Sequence, residues 1–155
     1  MGIFKHQIIE SATEIKTTTE KIWEFFYKIE ENYKRWHPEC HQYWRWSKGN
    51  PLEIDSKIDS EETIGGHKSR IKATVIESVK NQKIALKPVW PLTIMCPKIE
   101  WIFEPSGENI LFIARTHYKF GKIYRTFQKN AVKEIIYLTK KHMDEEGDNL
   151  KKILE

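Results

Sequence analysis

Apolar and polar positions follow two different periods along this chain. A series of segments between His41 and Phe120 alternates residue by residue, and after Phe120 apolar residues recur every three or four positions. The alternating part predicts strands over 41–47, 57–64, 67–78, 83–89, 98–104 and 109–120. They are parted by the turn signals Gly49-Asn50-Pro51, Gly65-Gly66, Asn81-Gln82 and Pro105-Ser106-Gly107. Residues 4–16 read as a further strand on the β content of Ile8, Ile9 and Ile15, although Ile9 and Ser11 break the alternation. The stretch 88–97 carries three prolines and makes a poor central strand. Thr17-Thr18-Thr19-Glu20 offers capping hydroxyls and a first-turn acid. The helix it starts runs through Ile22, Trp23, Phe25, Phe26 and Ile29, and ends by Trp36 because His37 precedes Pro38.

The run Lys122 to Leu154 contains no proline and predicts one long helix. Its inward stripe reads Phe127, Ala131, Ile135, Leu138, His142, Glu146, Leu150 and Ile153. Strands grouped between helices predict an α+β fold, with a curved antiparallel sheet wrapped around the terminal helix and an apolar cavity between them. With 155 residues and no repeat or linker, residues 1–155 are expected to form a single domain.

Two ionisable groups interrupt the apolar stripe of the terminal helix. A carboxylate on such a face is costly unless paired or metal-bound, and His142 and Glu146, one turn apart, can share a cation. In the strand 57–64, alternation turns Ile58, Ser60, Glu62 and Ile64 inward and Lys57, Asp59, Glu61 and Thr63 outward. One residue of slip would exchange Glu62 for Glu61. His37 and His41, flanking Pro38 at a loop–strand junction, are both candidates for a fourth ligand. Two imidazoles and two carboxylates suit Zn2+ or another divalent ion such as manganese or iron.

Composition narrows the classes. Apolar residues make up 39% and aromatics 12%, which excludes general disorder, and six tryptophans suit a large core or an aromatic-walled cavity. Trp44, Trp46, Trp90 and Trp101 are candidates to line it. The net charge of +4 is dispersed among acids and argues against a nucleic-acid partner. No apolar run reaches membrane-span length and no signal-peptide core precedes the first strand. Cys40 and Cys96 form no disulfide framework, which points to a cytoplasmic protein. No Gly-x-Ser-x-Gly, Cys-x-x-Cys, Gly-x-Gly-x-x-Gly or phosphate loop is present. Cys40 and His41 are adjacent on a strand and point to opposite faces, so they make no nucleophile pair.

The layout resembles the helix-grip fold of the START and Bet v 1-like (SRPBCC) superfamily. Within it, three segments resemble the 2,4-diacetylphloroglucinol hydrolase and phloretin hydrolase family. Tyr33-Lys34-Arg35-Trp36-His37-Pro38-Glu39-Cys40-His41 is similar to that family's Tyr-Lys-x-Trp-x-Pro-x-x-His segment, which gives the ligand role to His41. Glu62-Thr63-Ile64-Gly65 is similar to the segment holding its glutamate ligand. His142-Met143-Asp144-Glu145-Glu146, followed by Asn149-Leu150, is similar to its terminal His-x-x-x-Glu pair. The resemblance implies a metal-dependent hydrolase that cleaves a carbon–carbon bond next to an aryl ketone, with His41, Glu62, His142 and Glu146 on zinc. Arg115-Thr116-His117-Tyr118 falls where that family has a strand near the pocket. His117 and Tyr118, with His67, are the candidates to protonate the leaving aryl carbanion. The family's enzymes carry an added N-terminal region, whereas this chain starts almost directly at the first strand. The competing expectation is a non-catalytic carrier of an apolar small molecule or lipid, its four polar residues forming a buried ion-pair cluster.

Overall fold

A computed structural model describes residues 3–155. The elements are β1 (Phe4–Ile15), α1 (Thr19–Tyr27), α2 (Ile29–Trp36), β2 (His41–Lys48), β3 (Lys57–Ile64), β4 (His67–Val79), β5 (Lys83–Pro88), α3 (Leu92–Met95), β6 (Lys98–Ser106), β7 (Asn109–Gly121), α4 (Lys122–Phe127) and α5 (Lys129–Leu154). The seven strands form one antiparallel sheet in the order β1-β7-β6-β5-β4-β3-β2. The first strand thus pairs with the last, and β2 and β3 lie at the far edge. The sheet curves around α5, which packs on β1 and reaches β7 and β3.

Both expected helices are divided. The first breaks at Lys28 (φ −97°, ψ 30°), so α1 and α2 bury separate sets, Ile22, Phe25 and Phe26 on one and Ile29, Tyr33 and Trp36 on the other. Thr18 caps α1 by accepting from the Lys21 amide. The terminal run breaks at Gln128 (φ −119°, ψ 39°) into α4 and α5. Phe127 therefore falls off the expected inward stripe and is 78% exposed. The proline-rich stretch is no strand at its centre, as expected, and forms the single turn α3.

Burial on α5 is concentrated in its C-terminal half, at His142, Met143, Glu146, Gly147 and Leu150. Here the helix is drawn onto β1. A Cβ on Gly147 would lie 2.1 Å from Thr13 Oγ1, so the approach requires glycine. Ser11 turns inward with Ile9 and donates to Asp144 at 2.6 Å, which explains the imperfect alternation of β1. The core continues in an aromatic stack. Phe26 lies 4.7 Å from Trp101, 5.7 Å from Phe103 and 5.9 Å from Phe112, and Trp36 meets it edge-on at 5.3 Å. Such pairs contribute about 0.5–1.5 kcal/mol each beyond their buried area. The Trp36 indole N–H donates to the Glu146 carbonyl at 2.9 Å, so the same core ties α2 to the site-bearing turn of α5.

Candidate metal centre and ligand cavity

His41 is placed by a tight turn. The His37 carbonyl accepts from the Cys40 amide at 3.1 Å and the His41 amide at 2.8 Å, which delivers His41 as the first residue of β2. Across the sheet His41 stands opposite Glu62, but Tyr43 stands opposite Glu61. The register therefore shifts around Gln42. This irregularity lets His41 and Trp44 both turn inward and be buried, which strict alternation forbids. Glu62 reaches the same point from β3, and His142 and Glu146 reach it from α5.

The four side chains converge. His41 Nε2 lies 2.9 Å from Glu146 Oε1 and 3.3 Å from His142 Nε2. His142 Nε2 lies 3.0 Å from Glu146 Oε1 and 3.4 Å from Glu62 Oε2, and His41 Nε2 lies 3.9 Å from Glu62 Oε2. One ligand atom from each falls within 4.8 Å of every other. His41 is fully buried, and the Glu62 and Glu146 side chains are 13% and 10% exposed.

Tyr33 organises this cluster from outside. Its carbonyl accepts from His41 Nδ1 at 2.8 Å, and because a carbonyl only accepts, that nitrogen carries the hydrogen. Nε2 faces two carboxylates and a second imidazole. The Tyr33 hydroxyl donates to Glu62 Oε2 at 3.2 Å, and its ring lies flat over His41 at 3.9 Å. Burial, then Glu62, pushes the Tyr33 hydroxyl well above the usual phenol range, so it stays a donor. Outer partners of this kind fix the tautomer and orientation of metal-binding imidazoles.

The two carboxylates and two imidazoles are strongly coupled. Burial pushes the Glu146 carboxyl up, but His142 and His41 outweigh it and hold it at about 2. Burial pushes His142 down, but Glu146 and Glu62 outweigh it and raise it to about 11. With His41 neutral, one proton on His142 leaves one of the two carboxylates uncompensated. A divalent ion with both imidazoles neutral balances the cluster, and two imidazoles with two carboxylates are a donor set that zinc accepts. The residues present therefore fit a divalent metal.

Glu62, His142 and Glu146, with Arg70 and Arg115, line a cavity of about 600 Å³. Its walls include Trp44, Ile58, Leu86, Met95, Trp101 and Met143. Of the four tryptophans expected there, Trp90 is instead 74% exposed and Trp46 lies outside the lining. Tyr118 does face the cavity. Its hydroxyl shares a hydrogen bond of 2.7 Å with Thr139, and burial pushes it to about 12.

His117 does not join the site. It alternates with the inward Thr116 and Tyr118, lies outside the cavity lining, and bonds Glu100 at 2.6 Å. His67 is exposed at the start of β4. Asp59 was expected to face outward with Lys57, Glu61 and Thr63. It is buried, because Arg45 and Arg70 close over it at 2.6 and 2.7 Å and hold its carboxyl far below the usual range. The sequence reading also missed the roles of Tyr33 and of the His37–Glu145 pair, joined at 2.8 Å. Tyr33 had a signal, since Ile29, Tyr33 and Trp36 recur at helical spacing and share one face of α2.

No family model matches the sequence, and no curated protein matches it. Solved structures do match by shape. Ginseng major latex-like protein 151 from Panax ginseng superposes with a TM-score of 0.75 at 16% identity, covering 99% of both chains. Norcoclaurine synthase from Thalictrum flavum, solved in complex with dopamine and hydroxybenzaldehyde, gives 0.73 at 11% identity over 97% of this chain and 87% of that one. The di-domain ARO/CYC BexL from the BE-7585A biosynthetic pathway gives 0.78 at 8% identity over 97% of this chain and 50% of that one. At these identities the likeness concerns architecture. The chain has the Bet v 1-like helix-grip fold, a curved antiparallel sheet closed around a long C-terminal helix.

Proposed function

We propose that this protein binds a small, largely apolar or aromatic molecule in its grip cavity. His41, Glu62, His142 and Glu146 hold a divalent cation, zinc by donor type, beside the cavity. The observation that carries this reading is the convergence of four ligand atoms within 4.8 Å, three of their residues lining a largely apolar cavity of about 600 Å³. The volume suits a ligand with one or two rings. Trp44 and Trp101 supply flat walls, while the polar lining residues take a carbonyl or hydroxyl oxygen. The complex of norcoclaurine synthase with dopamine and hydroxybenzaldehyde supports small aromatic molecules as occupants of such a fold.

A second reading, metal-dependent hydrolysis of a carbon–carbon bond beside an aryl ketone, is favoured by the same cluster and by Tyr118. A bound divalent ion would supply Lewis acidity toward the ketone oxygen and lower the pKa of water. The chain's own residues do the rest. Tyr33 holds His41 and Glu62 in place, and the apolar walls exclude bulk water. Tyr118, kept protonated by burial, presents an O–H on the cavity wall from which a proton can pass to a leaving aryl carbon.

The test is a tryptophan-fluorescence titration with an acylated phenol, comparing zinc-loaded with chelator-treated protein and following products by chromatography. Saturable quenching that weakens at least tenfold on chelation is the expected result, and product release would establish the second reading. Equal binding with and without metal would leave an apolar-ligand carrier and remove the cation from the account.

A further inference from the structure

His142 is served on one side only. Its Nε2 belongs to the cluster above, whereas its Nδ1 is buried and has no hydrogen-bond partner among the described residues. His41, the other imidazole of that cluster, has its second nitrogen satisfied by the Tyr33 carbonyl. A metal-bound histidine ordinarily donates its other ring N–H to a carboxylate, carbonyl or water, and His142 Nδ1 has no such acceptor.

Three potential ligands stand near the His142 ring, with the His37 ring stacked on it at 5.1 Å. His37, Cys40, His142 and Glu145 each offer a ligand atom within 4.8 Å of the others. With Nε2 committed, the His142 atom free for this group is Nδ1. The four come as two chelating pairs, His37-x-x-Cys40 in the turn before β2 and His142-x-x-Glu145 on α5. Ligand pairs so closely spaced are typical of bound zinc. The His37 side chain is 5% exposed, its Nδ1 has no partner, and its Nε2 lies 2.8 Å from Glu145 Oε2. That contact repeats the 2.9 Å approach of His41 Nε2 to Glu146 in the first cluster. Glu145 is 41% exposed and Cys40 is half-buried, so this side opens toward solvent, whereas His41 is sealed.

We propose that His37, Cys40 and Glu145, with Nδ1 of His142, form a second cation site back to back with the first. A thiolate among its ligands selects zinc or a softer ion over magnesium or calcium. Binding displaces the thiol proton and the proton on each imidazole nitrogen that becomes a ligand, and no electron is transferred. The proposal shares only the His142 ring with the function proposed above and is read by a separate signal.

The experiment is titration of the full chain with Co2+ under reducing conditions, followed by absorption. A cobalt–thiolate bond gives an intense near-ultraviolet charge-transfer band, which the thiol-free first cluster cannot produce. The wild type is expected to show the band, Cys40→Ser to lose it together with one equivalent of bound cobalt, and Glu62→Gln to keep it. Glu145→Gln, at a partly exposed helix position, is expected to weaken it at unchanged far-ultraviolet circular dichroism. No band in the wild type at saturating cobalt would overturn the proposal. So would a band that survives Cys40→Ser, which would assign it to Cys96, or one that disappears in Glu62→Gln.

Discussion

The two faces of the sheet each hold a buried histidine–glutamate group, and they are built on opposite charge logic. On the outer face Glu100 bonds His117 at 2.6 Å, Lys83 at 2.9 Å and Lys98 at 3.1 Å, and both lysines also reach Glu77. Burial pushes Glu100 up, but Lys83, His117 and Lys98 outweigh it and hold the carboxyl at about 2. Every negative charge there has a resident cation. On the inner face Glu62 and Glu146 pair only with His41 and His142 among the described residues, and no lysine or arginine reaches them. The same residue types thus make a lysine-braced network outside and, inside, a cluster whose only basic partners are its own two imidazoles.

The largest expected effect comes from removing an inner carboxylate. Glu146→Gln should weaken zinc binding by more than about 100-fold, beyond the range of outer-partner effects, as measured by competition with a chelating dye. Tyr33→Phe keeps the ring over His41 but deletes the hydrogen bond to Glu62. It should cost about tenfold in the same assay, with little change in fold.

The outer brace should answer to pH and not to metal. The Glu100 pKa is depressed below the usual 4.5 of a glutamate, so its stabilising contribution is fully present above that value and is lost as pH falls toward 2. Urea midpoints of the wild type and Glu100→Gln should therefore differ near neutral pH and converge as the pH drops through that window. A gap that widened in acid would reverse the sign of the account. The smallest effect is expected from His117→Gln, which should leave zinc affinity unchanged while slightly lowering the urea midpoint. A large loss of metal affinity there would break the separation between the two faces.

Much of this was legible in the sequence, and the exceptions have identifiable causes. Alternation placed Glu62 inward because Ile58 and Ser60 share its face and the β3–β4 register is regular. Helical spacing paired His142 with Glu146. His41 could not be read by alternation, because the register shift at Gln42 moves it relative to the rest of β2. The choice between His37 and His41 depended on how the turn at Pro38 closes, which is a matter of backbone hydrogen bonds and not of residue type. Gln128 gives no sign that the terminal helix breaks there, since it is a good helix former, and so Phe127 was assigned to the wrong side. Asp59 looked solvent-facing because its burial comes from arginines on two other strands.

The central claim is that the inner cluster is a cation site. The most direct measurement is anomalous X-ray diffraction from crystals of zinc-supplemented protein, collected on both sides of the zinc edge. The account predicts a zinc peak bonded to His41 Nε2, His142 Nε2, Glu62 and Glu146. A structure in which these four side chains contact one another, with no anomalous peak between them at full zinc saturation, would contradict it and reduce the cluster to a buried ion-pair network.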